Sequence, residues 1–212
     1  MKVDFSNVPK EYWDDYFNNE PAEGVYSYPL ETLDEAKLLA LGARIAVGRP
    51  SHVITRLGAF VIDLSPESHT GAFKHAIDFL VPEGSRVLAA ADGVVTAVVQ
   101  HNREGGPTEG FAPLMNYLTI SHQNDEFSQY CHLKPHSSSK YKVGIGTVVS
   151  TGQVIAEVGM TGRTDRPHLH FLVFRDDTPI PAPSRPTHHH SFAQHSGIPQ
   201  GNPAGFKSLK VW

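Results

Sequence analysis

Residues 146–171 read GTVVSTGQVIAEVGMTGRTDRPHLHF, and this stretch decides the fold. Short β-branched runs, TVVS and QVIAEVG, are broken by Gly, Thr and Asp, the texture of brief strands joined by tight turns. It ends on Pro167-His168-Leu169-His170-Phe171 and runs on into LVF. Alternate residues of a strand share a face. Leu169 and Phe171 therefore face a core, and His168 and His170 stand side by side on the opposite face. Two adjacent imidazoles suit a metal ligand beside a catalytic base, or two ligands.

The same texture extends outward from this stretch over residues 53–175. AFVIDL, HAIDFLV, RVLAA, VVTAVVQ, NYLTIS, FSQYCHL and LHFLVF are separated by Gly, Pro and Asp. This predicts a mainly β domain, an antiparallel sandwich or open barrel, over residues 51–176. Asp92-Gly93 reads as a two-residue hairpin turn. Residues 101–115 are long and Gly-rich, which predicts a mobile loop that could overhang a site. Before the domain, residues 1–50 read as a helical extension, with helices expected at 9–19 and 32–46. The first has an aromatic stripe and the second a Thr32/Glu35 capping box. After it, residues 177–212 form a tail rich in Pro and His that packs on the domain or trails from it.

Composition narrows the function classes. The chain has 212 residues, 40% hydrophobic and 19% charged, enough for a full core without staples. A net charge of -4 argues against a nucleic-acid binder with a basic face, and no apolar run is long enough to cross a membrane as a helix. There are 13 histidines and one cysteine. A resident metal would have to be held by histidine and carboxylate.

Asp78 lies inside the apolar run AIDFLV, where a carboxylate is costly unless a positive group meets it. His75 is three residues away, an odd separation that puts it on the other face of a strand. His69, in the turn of SHTGAFKHAIDF, can fold back over the strand end, so His69 is preferred and His75 held second. In QYCHL, Tyr130 and His132 would share a face, with Cys131 a small buried hydrophobe on the other. His69, Asp78 and His170 then supply three ligands, with His132 and His168 left over. Three protein ligands with an open fourth position suit a catalytic zinc ion. His122, after an apolar strand, could orient one of these groups.

SHTGAFKHAIDF, VPEGSRVLAAADGVVTAV, NYLTISH, QYCHL and the quoted stretch, in this order, resemble the lysostaphin/LytM-type zinc metallopeptidases, family M23. The resemblance covers about residues 68–174. It implies a LytM-type antiparallel β fold, one zinc ion per chain and hydrolysis of peptide bonds in bacterial peptidoglycan. It makes Asp78 and His170 zinc ligands and His132 and His168 the catalytic histidine pair. Many members place the first ligand four residues before the aspartate, where this chain has Lys74; others use a histidine in an SHTG-like turn, which fits His69.

Two other readings compete with this one. A biotinyl- or lipoyl-type carrier would need an exposed Met-Lys hairpin tip, which is missing, and would have no use for the histidines. A catalytically inactive, wall-binding or scaffolding member would be expected to have lost ligands. The first residues, MKVDFSNVPKEYWDDYFNN, contain no apolar secretory core, which predicts retention in the cytoplasm or exit by another route. Family members usually act at the cell envelope or outside the cell.

Overall fold

Strands form here wherever an alternating apolar row can be laid on a common core. A computed structural model describes residues 22–33, 52, 54–66, 68–69, 73–176 and 206–209. Along these residues run β1 (Ile54–Leu57), β2 (Phe60–Asp63), β3 (Ile77–Phe79), β4 (Arg86–Leu88), β5 (Gly93–Val99) and β6 (Gly105–Gly106). They are followed by β7 (Tyr117–Ser121), β8 (Glu126–Cys131), β9 (Val148–Val149), β10 (Val154–Glu157), β11 (Gly162–Arg163), β12 (Leu169–Asp176) and β13 (Phe206–Leu209). Helix among these residues amounts to a 3-10 segment at Glu109–Leu114, one turn, α1 (Ser137–Lys140), and a 3-10 residue at Phe73.

The main sheet is antiparallel in the order β1-β2-β3-β12-β8-β7-β5-β9, and it is open rather than a closed barrel. β12 is long enough to carry two neighbours on one edge, β3 along its first half and β13 along its second. β4 and β10 make a separate antiparallel ribbon, and β6 and β11 a short parallel one. Phe60, Phe79, Leu118, Tyr130, Leu169 and Phe171 on the sheet meet Val87, Ile155 and Ala156 on the ribbon in one buried cluster. Each large side chain so buried contributes about 1.5–3 kcal/mol. The mainly β, antiparallel architecture is the one the sequence predicts.

Three details differ from the sequence reading. Residues 22–33, placed in a helical extension, are extended and lie against the core: Ser27 N–H donates to Ala90 O (2.7 Å) and Leu88 N–H to Pro29 O (2.8 Å), with Tyr26 and Leu30 buried. The strap is fastened by Glu126, a fully buried carboxylate. It accepts from Glu23 N (2.7 Å), Gly24 N (3.0 Å), the Tyr26 hydroxyl (2.9 Å) and Arg175 Nη2 (3.2 Å), which satisfies the charge. The helix expected at 9–19, and nearly all of that at 32–46, lie outside the described residues, as do His188, His189, His190 and His195.

Asp92-Gly93 is not a hairpin turn, because β4 pairs with β10 while β5 pairs with β7 and β9. The chain crosses here from ribbon to sheet, and Asp92 Oδ1 instead accepts from Thr151 N (2.7 Å) and Oγ1 (2.8 Å). Residues 101–115 are pinned rather than free. Gly105 and Gly106 pair with Gly162 and Arg163, and a Cβ at Gly105 would collide with the Met160 carbonyl. Its glycine is there for close backbone approach, not for mobility. From the tail, β13 returns to pair with β12.

Candidate metal centre

Register brings the chemistry together. His170 on β12 lies directly opposite Asp78 on β3, and Asp78 directly opposite Asp63 on β2. Residues opposite one another in an antiparallel pair project to the same side, so these groups share the face turned away from the main core. Leu169 and Phe171 take the core side, as alternation requires.

Three atoms converge on this face. His170 Nδ1 is 2.9 Å and His69 Nε2 3.3 Å from the same oxygen, Asp78 Oδ1. The ligating atoms of His69, Asp78 and His170 lie within 4.8 Å of one another, and all three residues are buried. His75, buried just ahead of β3, is not part of this group. Two imidazole nitrogens and one carboxylate oxygen are a donor set that suits zinc and leaves a fourth position open.

His168 and His132 stand beside this group. His168 Nε2 is 3.7 Å from Asp78 Oδ1, and the His132 and His168 rings are 4.6 Å apart between centroids. Each ring is held by its other nitrogen. His132 Nδ1 is 2.8 Å from Thr161 O, and His168 Nδ1 is 3.0 Å from Arg166 O. A carbonyl only accepts, so Nδ1 carries a proton in both rings, and in the neutral ring Nε2 holds the lone pair. One turn, residues 161–166, therefore fixes both tautomers. It is braced by Asn116, whose backbone N–H donates to Thr161 Oγ1 (3.0 Å) and whose Nδ2 donates to Leu133 O (3.2 Å).

The charges follow from burial and neighbours. Burial opposes ionisation of Asp78, but His69 and His168 nearby and the hydrogen bond from His170 outweigh it, holding the carboxyl well below its usual range. Burial likewise opposes protonation of His69, and the Asp78 carboxylate reverses the balance, raising its pKa. Burial, then the neighbouring His168 and His170, push His132 down to about 3. Burial also lowers His170. The cluster thus sets one ionised carboxylate among imidazoles, two of which, His132 and His170, burial keeps from protonation, and that carboxylate favours a cation.

The route by which His132 arrives differs from strict alternation. Cys131 is opposite His170 and so lies beneath the site, while Tyr130 faces the core beside Phe171. His132 has φ 61°, a left-handed residue that ends the strand and turns its ring back to the Cys131 side. Cys131 is fully buried, and burial together with Asp78 raises its thiol pKa well above normal, leaving it inert. His122 does not orient the site. Its Nδ1 lies 2.7 Å from Asp92 O, its Nε2 2.7 Å from Ser128 Oγ, and its ring packs edge-on to Tyr26 in the strap. The sequence reading passed over His52, Asp63 and Ser65. His52 Nδ1 pairs with Asp63 Oδ2, Ser65 N–H donates to Asp63 Oδ1 (2.9 Å), and Ser65 Oγ–H donates to Asp78 Oδ2 (3.0 Å). The available signal was Asp63 in AFVIDL, a second acid inside an apolar strand.

Comparison with known proteins places the chain among bacterial peptidases in sequence. The chain is 35% identical over 129 residues to the DD-carboxypeptidase/endopeptidase Mpg of Neisseria meningitidis serogroup B, covering 60% of this chain and 26% of that protein. It is 37% identical over 105 residues to the peptidoglycan DD-endopeptidase ShyB of Vibrio cholerae, covering 50% of this chain and 21% of that protein. The chain therefore spans about a quarter of the length of these relatives. Among solved structures, a zinc-containing peptidase from Vibrio cholerae is 28% identical with a TM-score of 0.41, covering 71% of this chain and 37% of that one. Residues 72–182, more than half of the sequence and including Asp78, His132, His168 and His170, match the family described as peptidase family M23, and the chain belongs to that family.

Proposed function

We propose that this protein is a zinc-dependent endopeptidase acting on peptide bonds of bacterial peptidoglycan, with His69, Asp78 and His170 as metal ligands and His132 and His168 as the catalytic pair. The observation that carries the reading is the convergence of His69 Nε2 and His170 Nδ1 on Asp78 Oδ1, with two tautomer-fixed imidazoles alongside. The names of the relatives Mpg and ShyB support the substrate class.

A bound zinc ion supplies Lewis acidity toward a peptide carbonyl and brings the pKa of water to about 7. The chain's own residues do the rest. With Nδ1–H given to a carbonyl, His132 and His168 each keep Nε2 for the reaction, so either can take a proton from the attacking water. A ring protonated in this way becomes an N–H donor, able to steady the oxyanion and then pass its proton to the leaving amine. Thr161 O and Arg166 O keep each ring in the tautomer that does this, just as a hydrogen-bonded partner does for a metal-bound histidine. Burial keeps His132 uncharged at neutral pH, ready as an acceptor.

A wall-binding member without activity is not favoured, since every position of the proposed set is present and assembled. The test is digestion of purified peptidoglycan followed by mass analysis of the fragments, with zinc measured on the same sample. Cleaved peptide cross-links and one zinc per chain are expected. An intact wall with a zinc-loaded protein would overturn the endopeptidase reading.

A further inference from the structure

Ser65 joins two of the proposed ligands, and nothing in the mechanism above uses it. It follows β2, is buried, and has φ 40°, a left-handed backbone that a non-glycine residue adopts only when its surroundings impose it. The constraint is visible. Its N–H donates to Asp63 Oδ1 (2.9 Å), and Asp63 is in turn held by His52 through Oδ2. Bent in this way, Ser65 points in two useful directions. Its hydroxyl donates to Asp78 Oδ2 (3.0 Å). Its carbonyl accepts from His69 N (2.8 Å) and from Ser68 N (2.9 Å), closing the turn that carries His69.

We propose that Ser65 is the positioning residue of the metal centre, fixing Asp78 through its hydroxyl and His69 through its carbonyl, with Asp63 and His52 holding it in place. The proposal rests on the metal-ligand reading above. Its consequence is division of labour within one carboxylate. Oδ2 is committed to Ser65, which leaves Oδ1 to face His69, His168 and His170. Partners of this kind set both the orientation and the affinity of a ligand, and losing one commonly costs 10–100-fold in metal affinity.

The test compares the full chain with Ser65→Gly, Ser65→Ala and Asp63→Ala. Zinc affinity is read by competition with a chromophoric chelator, and the ligand field by the absorption spectrum of the cobalt(II)-substituted protein. Ser65→Gly removes the hydroxyl while relieving the left-handed strain, so its metal-free form should melt no lower than wild type. Its zinc affinity should nevertheless fall about 10–100-fold, with a changed cobalt spectrum as Oδ2 is released. Ser65→Ala should lose similar affinity, and Asp63→Ala should also lose affinity, because the Ser65 N–H then has no acceptor. A purely structural Ser65 would move the melting temperature and leave the cobalt spectrum alone. Wild-type affinity within twofold in Ser65→Gly and Ser65→Ala would overturn the proposal. A wild-type chain that takes up no zinc would instead overturn the metal-centre reading, and this one with it.

Discussion

Two turns flank the site, and they hold their histidines by different means. Residues 63–69 hold the carboxylate through side chains, Asp63 gripping the Ser65 N–H and the Ser65 hydroxyl gripping Asp78, and close the His69 turn by the Ser65 carbonyl. Residues 161–166 use backbone carbonyls to fix His132 and His168, and these are pinned by glycines packed against backbone. The difference suits the proposed roles. A ligand set can be tuned by changing a side chain, whereas a proton-carrying pair needs a fixed tautomer that no substitution of the partner itself can alter. The largest expected effects come from cutting each side at its centre. His170→Ala should abolish both zinc binding and wall hydrolysis. His132→Ala should keep one zinc per chain and lose roughly 10²–10⁴-fold in turnover, the usual worth of a general acid–base group. Metal analysis beside a wall-digestion assay separates the two, and a His132→Ala variant at wild-type rate would remove its role.

The backbone-held side should be sensitive to glycines outside the site. Gly105→Ala forces a methyl against the Met160 carbonyl, 2.8 Å from its carbon and 2.9 Å from Gly162 O. Gly162 itself has φ 81°, and a Cβ there would lie 2.6 Å from that of Met115. Overpacking of this kind costs about 1–3 kcal/mol. Gly105→Ala should lower the melting temperature and kcat while zinc content stays at one, because it disturbs 161–166 and not 63–69. Loss of zinc with kcat per bound zinc unchanged would reverse the comparison.

What was legible in the sequence follows the same division. Strand alternation places Leu169 and Phe171 in the core and sets His168, one residue ahead of β12, beside His170 at Asp78. It fails one residue past β8, where His132 turns left-handed and the predicted shared face with Tyr130 gives way. Asp92-Gly93 carried a hairpin signal, yet the local pattern cannot say that its two flanking strands belong to different sheets. The glycines of 101–115 look like flexibility in sequence and are close backbone contacts in space. Ser65 was illegible for a plainer reason. A serine after an apolar strand is an ordinary turn residue, and only the cross-strand register shows which carboxylates lie on either side of it.

The buried imidazoles predict a smaller effect, visible without metal. Burial first, and their neighbours second, hold His132 down to about 3, and burial lowers His170. Below the ordinary histidine pKa of 6.5 the unfolded chain binds protons that these folded rings do not. Metal-free protein should therefore lose stability as pH falls from about 6.5, by about 1.4 kcal/mol per pH unit for each ring kept neutral. His69 has the opposite sign. Its pKa is raised, so its pairing with Asp78 contributes below the ordinary histidine pKa and is lost as pH rises through the raised value. The Asp78 contribution is lost only on acidification through a pKa well below the usual carboxylate range. Denaturant unfolding of metal-free wild type and His132→Gln at pH 6.5 and 4.5 should give the variant the shallower decline. Equal slopes would mean that His132 is not held neutral.

The smallest expected effect sharpens the side-chain-held half, because it concerns a histidine that lies close in sequence and outside the cluster. His75 is three residues from Asp78 and buried, yet the group of ligating atoms contains His69 instead. The physical reason is local. Phe73 O accepts from Ala76 N (2.8 Å), so the chain makes a turn immediately before β3, and His75 lies in that turn rather than on the strand. His69 is brought back by the Ser65 carbonyl to within 3.3 Å of Asp78. His75→Gln should therefore retain one zinc per chain with affinity within about twofold, and at most a modest loss of stability from an altered buried contact. His69→Gln, by contrast, should lose stoichiometric zinc. If metal departed from the His75 variant and stayed in the His69 variant, the ligand set would pass to His75, and the turn that Ser65 closes would have no part in holding the metal.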